Sequence, residues 1–226
     1  MVKILLPYVE EHEQFKKAVW SLEKYTPKDV EIILIHDKER EGVSKIFNRY
    51  FTGEDDLILW HADMYATEGW YEKLMSYNNF DITGMKLVYP DGRIQHYGGF
   101  LRKIKTRAGE MGYGTGFHPH QFCLDIGLDE PIKAAFVTWG GCYIKKEVIK
   151  AVGKLDEKYV QTYYGDVDYC FTANQKGFKV GVVPVTIIHE ESLDTKKNQE
   201  GLDKTLFHNE SYFMAKWMDV LSGAIK

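Results

Sequence analysis

The chain predicts an α/β protein with a mostly parallel central sheet flanked by helices and a small antiparallel part. Short, nearly continuous apolar runs at Lys3 to Pro7, Glu31 to Asp37 and Asp56 to Trp60 have the pattern of strands covered on both faces. Between the first two, Phe15, Ala18, Val19 and Leu22 recur at i, i+3, i+4 and i+7, which is one face of a helix. Val43, Ile46, Phe47 and Tyr50 suggest a second helix before the third run. Strand, helix, strand, helix, strand implies right-handed parallel crossovers and a doubly wound sheet.

The remaining elements follow in order. Trp70 to Tyr77 predicts a helix. Ile82 to Tyr89 and Arg93 to Leu101 predict two strands around the Pro90-Asp91-Gly92 turn, the antiparallel part of the fold. The glycine-rich stretch from Thr106 to Pro131 has little periodicity and predicts a long functional loop. Ala134 to Ile144 predicts a strand, Lys146 to Val152 a helix stopped at Gly153, and Val167 to Gln175 a helix stopped at Gly177. Lys179 to His189 predicts a strand broken by Pro184, and Leu206, Phe213, Met214, Trp217 and Leu221 predict a closing amphipathic helix.

With 226 residues and no linker, the expectation is one domain spanning residues 1–226. A net charge of −4 offers no general attraction to nucleic acid or anionic membrane, so a phosphate-bearing ligand needs a local site or a cation. The three cysteines, Cys123, Cys142 and Cys170, are odd in number and widely spaced, which argues for a reducing compartment rather than a disulfide framework. The apolar run after Met1 is too short for a signal peptide, and no segment has the length of a membrane span. The expected location is the cytoplasm, with any membrane role reached by recruitment.

Two acidic phrases carry the chemistry. Leu57 to Asp63 is an apolar strand ending in a carboxylate, and Gly165-Asp166-Val167-Asp168 opens a helix. Open α/β sheets bind ligands at the carboxyl ends of their strands, so Asp63 is placed to hold a divalent cation against phosphate oxygens. Either aspartate of the second phrase can be a helix cap or a base that deprotonates a hydroxyl, and the spacing does not choose between them. His61 and His189, both at strand ends, are metal ligands or ordinary hydrogen-bonded residues. His118, His120 and Cys123 have no fourth nearby ligand and match no strong zinc pattern. The basic run from Arg102 to Arg107 reads as a solvated edge, the alternative being contact with an anionic substrate or acceptor.

Taken in order, these phrases resemble a family-2-type glycosyltransferase of the rhamnosyltransferase-like group, with the GT-A nucleotide-diphospho-sugar transferase fold. Ile4 to Tyr8 and Glu31 to Asp37 resemble that family's first two strands, and His61-Ala62-Asp63 with Thr67-Glu68-Gly69-Trp70 resembles its D-x-D strand and P-G-W segment. Asp91 to Gly99 is similar to a hairpin of that group, and Trp139 to Lys146 to its W-x-x-G-A-C strand. Gly153 to Glu157 resembles a G-x-F-D-E turn, Gly165 to Asp168 an E-D-V-D phrase, and Pro184 to Ser192 the closing P-x-x-x-x-H-x-x-S segment. His61 and Gly165 each stand where the family has a carboxylate.

The resemblance implies roles for particular residues. Asp166 is the expected catalytic base. Asp63 and His189 are the expected ligands of Mn2+ or Mg2+. Pro7, Tyr8, Asp37, Asn48, His61, Trp139 and Gly140 are expected along the donor, with His61 touching ribose or metal. The implied activity is metal-dependent inverting transfer of a sugar, a hexosyltransferase-like reaction in glycan biosynthesis. The donor is a nucleotide-diphospho-sugar, and the acceptor hydroxyl belongs to a glycan, a lipid-linked molecule or a protein. The rival readings are a nucleotidyltransferase and a non-catalytic nucleotide-sugar binding module.

Overall fold

A computed structural model describes residues 1–105, 111–161, 163–191 and 199–223. β1 (Val2–Tyr8) pairs in parallel with β2 (Glu31–His36) on one side and β3 (Asp56–Leu59) on the other. Beyond β3 the sheet continues through β10 (Cys142–Ile144), β5 (Ile82–Val88) and β11 (Val180–His189) to β4 (Met64–Tyr65) at the edge. β10 is antiparallel to both β3 and β5, while β11 is parallel to β5. All five long strands therefore run the same way and deliver their carboxyl ends to one edge. Because β10 runs against them, its amino-terminal flank, Trp139 to Gly141, arrives at that same edge.

Helices cover both faces. α1 (Glu13–Tyr25) starts where the His12 imidazole accepts from the Phe15 N–H at 3.1 Å, and it lays Phe15, Ala18 and Leu22 against Ile4, Leu6, Ile58 and Trp60. α3 (Trp70–Ser76) adds Trp70 and Leu74 to that face. The opposite face is packed by α2 (Val43–Phe47), α4 (Lys146–Val152) and α5 (Gly165–Gln175), with Phe213, Trp217 and Leu221 from α6 (Gln199–Lys216), the Trp217 linker and α7 (Met218–Leu221). Trp60 and Trp70, 0% and 1% exposed, are among the largest side chains in this core, and burial of a side chain of that kind contributes about 2–3 kcal/mol. Among the described residues no helix is long and apolar enough to cross a membrane.

Three elements differ from the sequence expectation. Arg93 to Leu101 is not one strand: β6 (Ile94–His96) stays on β5, and the chain turns at Gly98, φ +88°, before β7 (Phe100–Lys105) leaves the sheet. β7 pairs with β8 (Met111–Phe117), which lies inside the stretch predicted as a loop. Gly112, Gly114 and Gly116 alternate there, so the apolar period that marks a strand is missing from the sequence. Residues 106–110 of that stretch lie outside the described ones. Finally, Ala134 to Ile144 is a strand only at its end. Val137 instead presses on β5, where a Cβ at Gly84 would meet its Cβ at 2.8 Å, and β9 (Ile132–Lys133) pairs with β11. A buried apolar run is the same in sequence whether it is a strand or an irregular packed segment.

The closing helix is interrupted at Trp217. The Pro184 break in β11 is present as a register shift between Val183 and Thr186 against β5.

Candidate active site

The turn after β3 sets the first cluster. The Trp60 indole N–H donates to the Met64 carbonyl at 3.1 Å, and the Glu190 N–H to the Asp63 carbonyl at 3.0 Å, so the turn is tied to the end of β11. Met64 and His189 are paired across β4 and β11. This brings His189 Nε2 to 3.1 Å from Asp63 Oδ1, while its Nδ1 meets the Gln95 side-chain oxygen from β6. His61 completes the group: one ligand atom each from His61, Asp63 and His189 lies within 4.8 Å of the others. The His61 and His189 rings are 5.6 Å apart. Gly140 leaves room for this, since a Cβ there would meet His61 Nδ1 at 3.1 Å.

Burial lowers the His61 pKa to about 4, reinforced by His189 and opposed by Asp63. His61 is therefore neutral at pH 7 and offers a nitrogen lone pair. Gln95 accepting from Nδ1 leaves the His189 Nε2 lone pair facing a carboxylate oxygen, an arrangement that a shared proton or a shared cation satisfies. Two imidazoles and one carboxylate suit a first-row divalent ion such as Mn2+ better than Mg2+, which prefers oxygen. His118, His120 and Cys123 do not gather. His118 Nδ1 lies 3.1 Å from Nδ1 of buried His96, and Cys123 is exposed.

α5 sets the second cluster and separates its two aspartates. The Asp166 carboxylate accepts from the Val167 N–H at 2.9 Å, and from the backbone of Trp139 and its own N–H. Burial nevertheless raises its pKa to about 6, those N–H groups pulling the other way. Asp168, 4% exposed, faces inward, where it accepts from the Tyr159 hydroxyl at 3.0 Å, Trp217 Nε1 at 2.7 Å and Lys216 Nζ at 2.9 Å. It braces α6 and the Trp217 linker against α5. A step of two residues along a helix turns a side chain by more than half a circle, so the pair cannot share a face.

Both clusters open on one cleft of about 440 Å³, lined by His61, Gln95, His118, Asp166, His189 and Glu191 among others. A smaller cavity of about 40 Å³ adjoins it, bounded by Ser44, His61, Trp139, Gly165 and Asp166 among others.

The other expected donor-side residues are spread along the same edge with different tasks. Pro7 is paired with Ile35 inside the sheet, and Tyr8 turns to the α1 face, stacked between Phe15 at 4.2 Å and His36 at 4.8 Å. The Asp37 carboxylate accepts from the Glu41 and Gly42 N–H groups at 2.8 and 3.2 Å, closing the loop into α2. Asn48 is occupied within the protein. Its amide is committed to the Leu155 N–H, the Leu155 carbonyl and Glu157 at 2.7, 3.0 and 2.9 Å, and it is 5% exposed. Ser192 and Arg107 lie outside the described residues. Gln95 and His96 carry no assigned site role in the sequence; the signals there were the Asp91-Gly92 turn and the hairpin resemblance of Asp91 to Gly99, and the structure places their strand beside β5.

No protein-family model matches the chain. "Uncharacterized protein y4gI" of Sinorhizobium fredii (strain NBRC 101917 / NGR234) is 31% identical over 140 residues, which is 59% of this chain and 15% of that protein. Among solved structures, GalNAc-T7 with UDP, GalNAc and Mn2+ matches with a TM-score of 0.61 at 15% identity, over 86% of this chain and 44% of that one. S. aureus TarS matches with a TM-score of 0.56 at 10% identity, over 90% of this chain and 38% of that one. The chain thus spans less than half the length of each of these proteins. Its central sheet, mostly parallel and flanked by helices, is the GT-A glycosyltransferase fold.

Proposed function

We propose that this chain is a metal-dependent inverting glycosyltransferase that moves a sugar from a nucleotide-diphosphate donor to an acceptor hydroxyl. The observation that carries the reading is the shared cleft. A half-buried carboxylate with its pKa raised to about 6 lines the same recess as His61 and His189, the two imidazoles of a His-Asp-His group suited to a divalent ion. A base poised near neutrality and a cation for a leaving diphosphate are what metal-assisted single-displacement sugar transfer uses.

In this reading Asp63, His189 and His61 hold the cation, which when bound neutralises charge on the departing nucleoside diphosphate. Gln95 orients His189 through its Nδ1. Asp166 takes the proton of the acceptor hydroxyl as that oxygen attacks the anomeric carbon from the face opposite the leaving group, and one displacement inverts the configuration. Trp139 and Gly140 line the sugar, and Pro7, Tyr8 and Asp37 border the nucleoside end. The hydroxyl belongs to a glycan, a lipid-linked molecule or a protein. GalNAc-T7 was solved with UDP, GalNAc and Mn2+, which makes UDP-sugars and Mn2+ the first probes.

A nucleotidyltransferase is disfavoured by the acidic Val9-Glu10-Glu11-His12 after β1, where a triphosphate would need a glycine-rich basic loop. The test is a panel of UDP-sugars with Mn2+ or Mg2+ for wild type, Asp63→Ala and Asp166→Asn, read as nucleoside diphosphate release and as thermal shift. Near-normal transfer by Asp166→Asn sinks the base assignment. Undiminished metal and nucleotide binding by Asp63→Ala sinks the cation site, and pyrophosphate release sinks the transfer chemistry. Donor binding without turnover over a broad acceptor panel favours the binding-module reading.

A further inference from the structure

The small cavity beside Asp166 has a chemistry of its own. Trp139 is 5% exposed, and its indole Nε1 is buried without a hydrogen-bond partner among the described residues. An indole N–H donates and cannot accept, so whatever meets it must bring a lone pair. Leaving such a donor bare inside a protein is unfavourable, and proteins seldom do so without a use for it. The other wall is Gly165, where a Cβ would lie 3.8 Å from Trp139 Nε1 and 3.5 Å from Ser44 Oγ. The missing side chain is thus what keeps the space open. At about 40 Å³ it has room for a water or a hydroxyl. Asp166 also lines this cavity.

We infer that this cavity is the seat of the attacking oxygen, with Trp139 Nε1 donating to it and Asp166 receiving its proton. A hydroxyl has two lone pairs and one proton. One lone pair takes the Trp139 N–H, the proton points to Asp166, and the remaining lone pair faces the anomeric carbon. The inference rests on the transferase reading above and deepens it, making Trp139 a catalytic residue and Gly165 the residue that sets the size of the seat. In the presence of an acceptor the occupant is its hydroxyl, and in its absence a water. In the second case the water oxygen bonds to the anomeric carbon while the bond from that carbon to the diphosphate oxygen breaks. The nucleoside diphosphate then leaves with the electron pair, and Asp166 holds the proton.

That second case supplies the test, because it needs no knowledge of the acceptor. The probes are UDP-glucose, UDP-galactose and their N-acetylhexosamine counterparts with Mn2+, and the readout is UDP release by the full chain without acceptor. Trp139→Phe keeps a ring and loses the N–H, and is expected to lower kcat of hydrolysis about tenfold, the worth of one hydrogen bond made in the transition state, with KM little changed. Gly165→Ala, whose new methyl meets only ordinary contacts, is the second variant and is expected to lower kcat in the same way. If Trp139→Phe is poorly folded, Gly165→Ala decides alone. Unchanged kcat in the folded variants, with the donor still bound, overturns the seat and leaves the transferase reading standing. A wild type that shows no thermal shift with these donors or with any other nucleoside diphosphate, each with Mn2+, overturns the transferase reading and the seat with it.

Discussion

Replacing Asp166 with asparagine should give opposite stability effects at the two ends of the accessible pH range. The Asp166 carboxyl titrates at about 6 in the folded protein against an ordinary 3.8, because burial disfavours its charge. Below about pH 4 it is protonated folded or unfolded and contributes no difference. As the pH rises toward 6 the unfolded chain ionises first, so the folded state loses stability, and above about 6 the loss is complete. Two pKa units correspond to about 3 kcal/mol. The substituted amide carries no charge and escapes that loss, but its single acceptor oxygen serves fewer of the N–H groups from Val167, Trp139 and residue 166 itself, at a cost of about 1–2 kcal/mol. The variant should therefore be less stable than wild type by about 1–2 kcal/mol at pH 4 and more stable by a similar amount at pH 7.5. Urea denaturation at pH 4, 5, 6 and 7.5, without added metal, measures this directly. A stability difference that stays constant across those four pH values refutes the reasoning. The same carboxyl predicts that wild-type transfer rises with pH through about 6, as the base loses its proton.

Other substitutions separate the remaining roles. Asp63→Ala and His189→Ala should each weaken Mn2+ binding at least tenfold by calorimetry, since each removes one of the three ligands that lie within 4.8 Å of one another. Gln95→Leu touches no ligand atom directly, yet should lower Mn2+ affinity about 10–100-fold by freeing the His189 ring, while the melting temperature stays within a few degrees. Asp168→Ala strands the Tyr159 hydroxyl, the Trp217 indole and Lys216, and should destabilise by about 3–5 kcal/mol in urea. Gly84→Ala should cost about 1–3 kcal/mol by overpacking against Val137, without altering metal binding.

Much of the architecture was readable in advance because burial on both faces imposes a plain apolar signature. β1, β2, β3, β5 and β11 fall within a residue or two of their predicted bounds, as do α3 and α4. α1 and α5 were readable in kind, with Phe15 to Leu22 and Val167 to Gln175 inside the helices. β8 was not readable, since alternating glycines carry no hydrophobic period, and the short β10 was hidden inside a longer apolar run whose first part packs without pairing. The split of Arg93 to Leu101 turns on one positive φ at Gly98, which sends β7 to a partner some ten residues downstream rather than along β5. In the site, Asp63 and His189 were legible as carboxylate and imidazole at strand ends. The bonds of Asn48 were not legible, because a side-chain amide serves a ligand or a distant backbone equally well, and only packing brings Leu155 opposite it.

By itself, then, the sequence determined the order of the main strands β1, β2, β3, β5 and β11 and the helices between them, and hence that acidic and imidazole groups would collect at one edge of a twisted sheet. That follows from local periodicity and from the handedness of crossovers, which need no knowledge of distant partners. The spacing left two neighbouring aspartates equivalent and only the resemblance favoured Asp166; the tertiary structure turned Asp166 to the cleft and set Asp168 to brace α6. It alone set Gln95 behind His189 and left the Trp139 N–H bare above Gly165. Those outcomes depend on where a side chain points once segments far apart in the chain have packed, and on which polar groups that packing leaves to be satisfied.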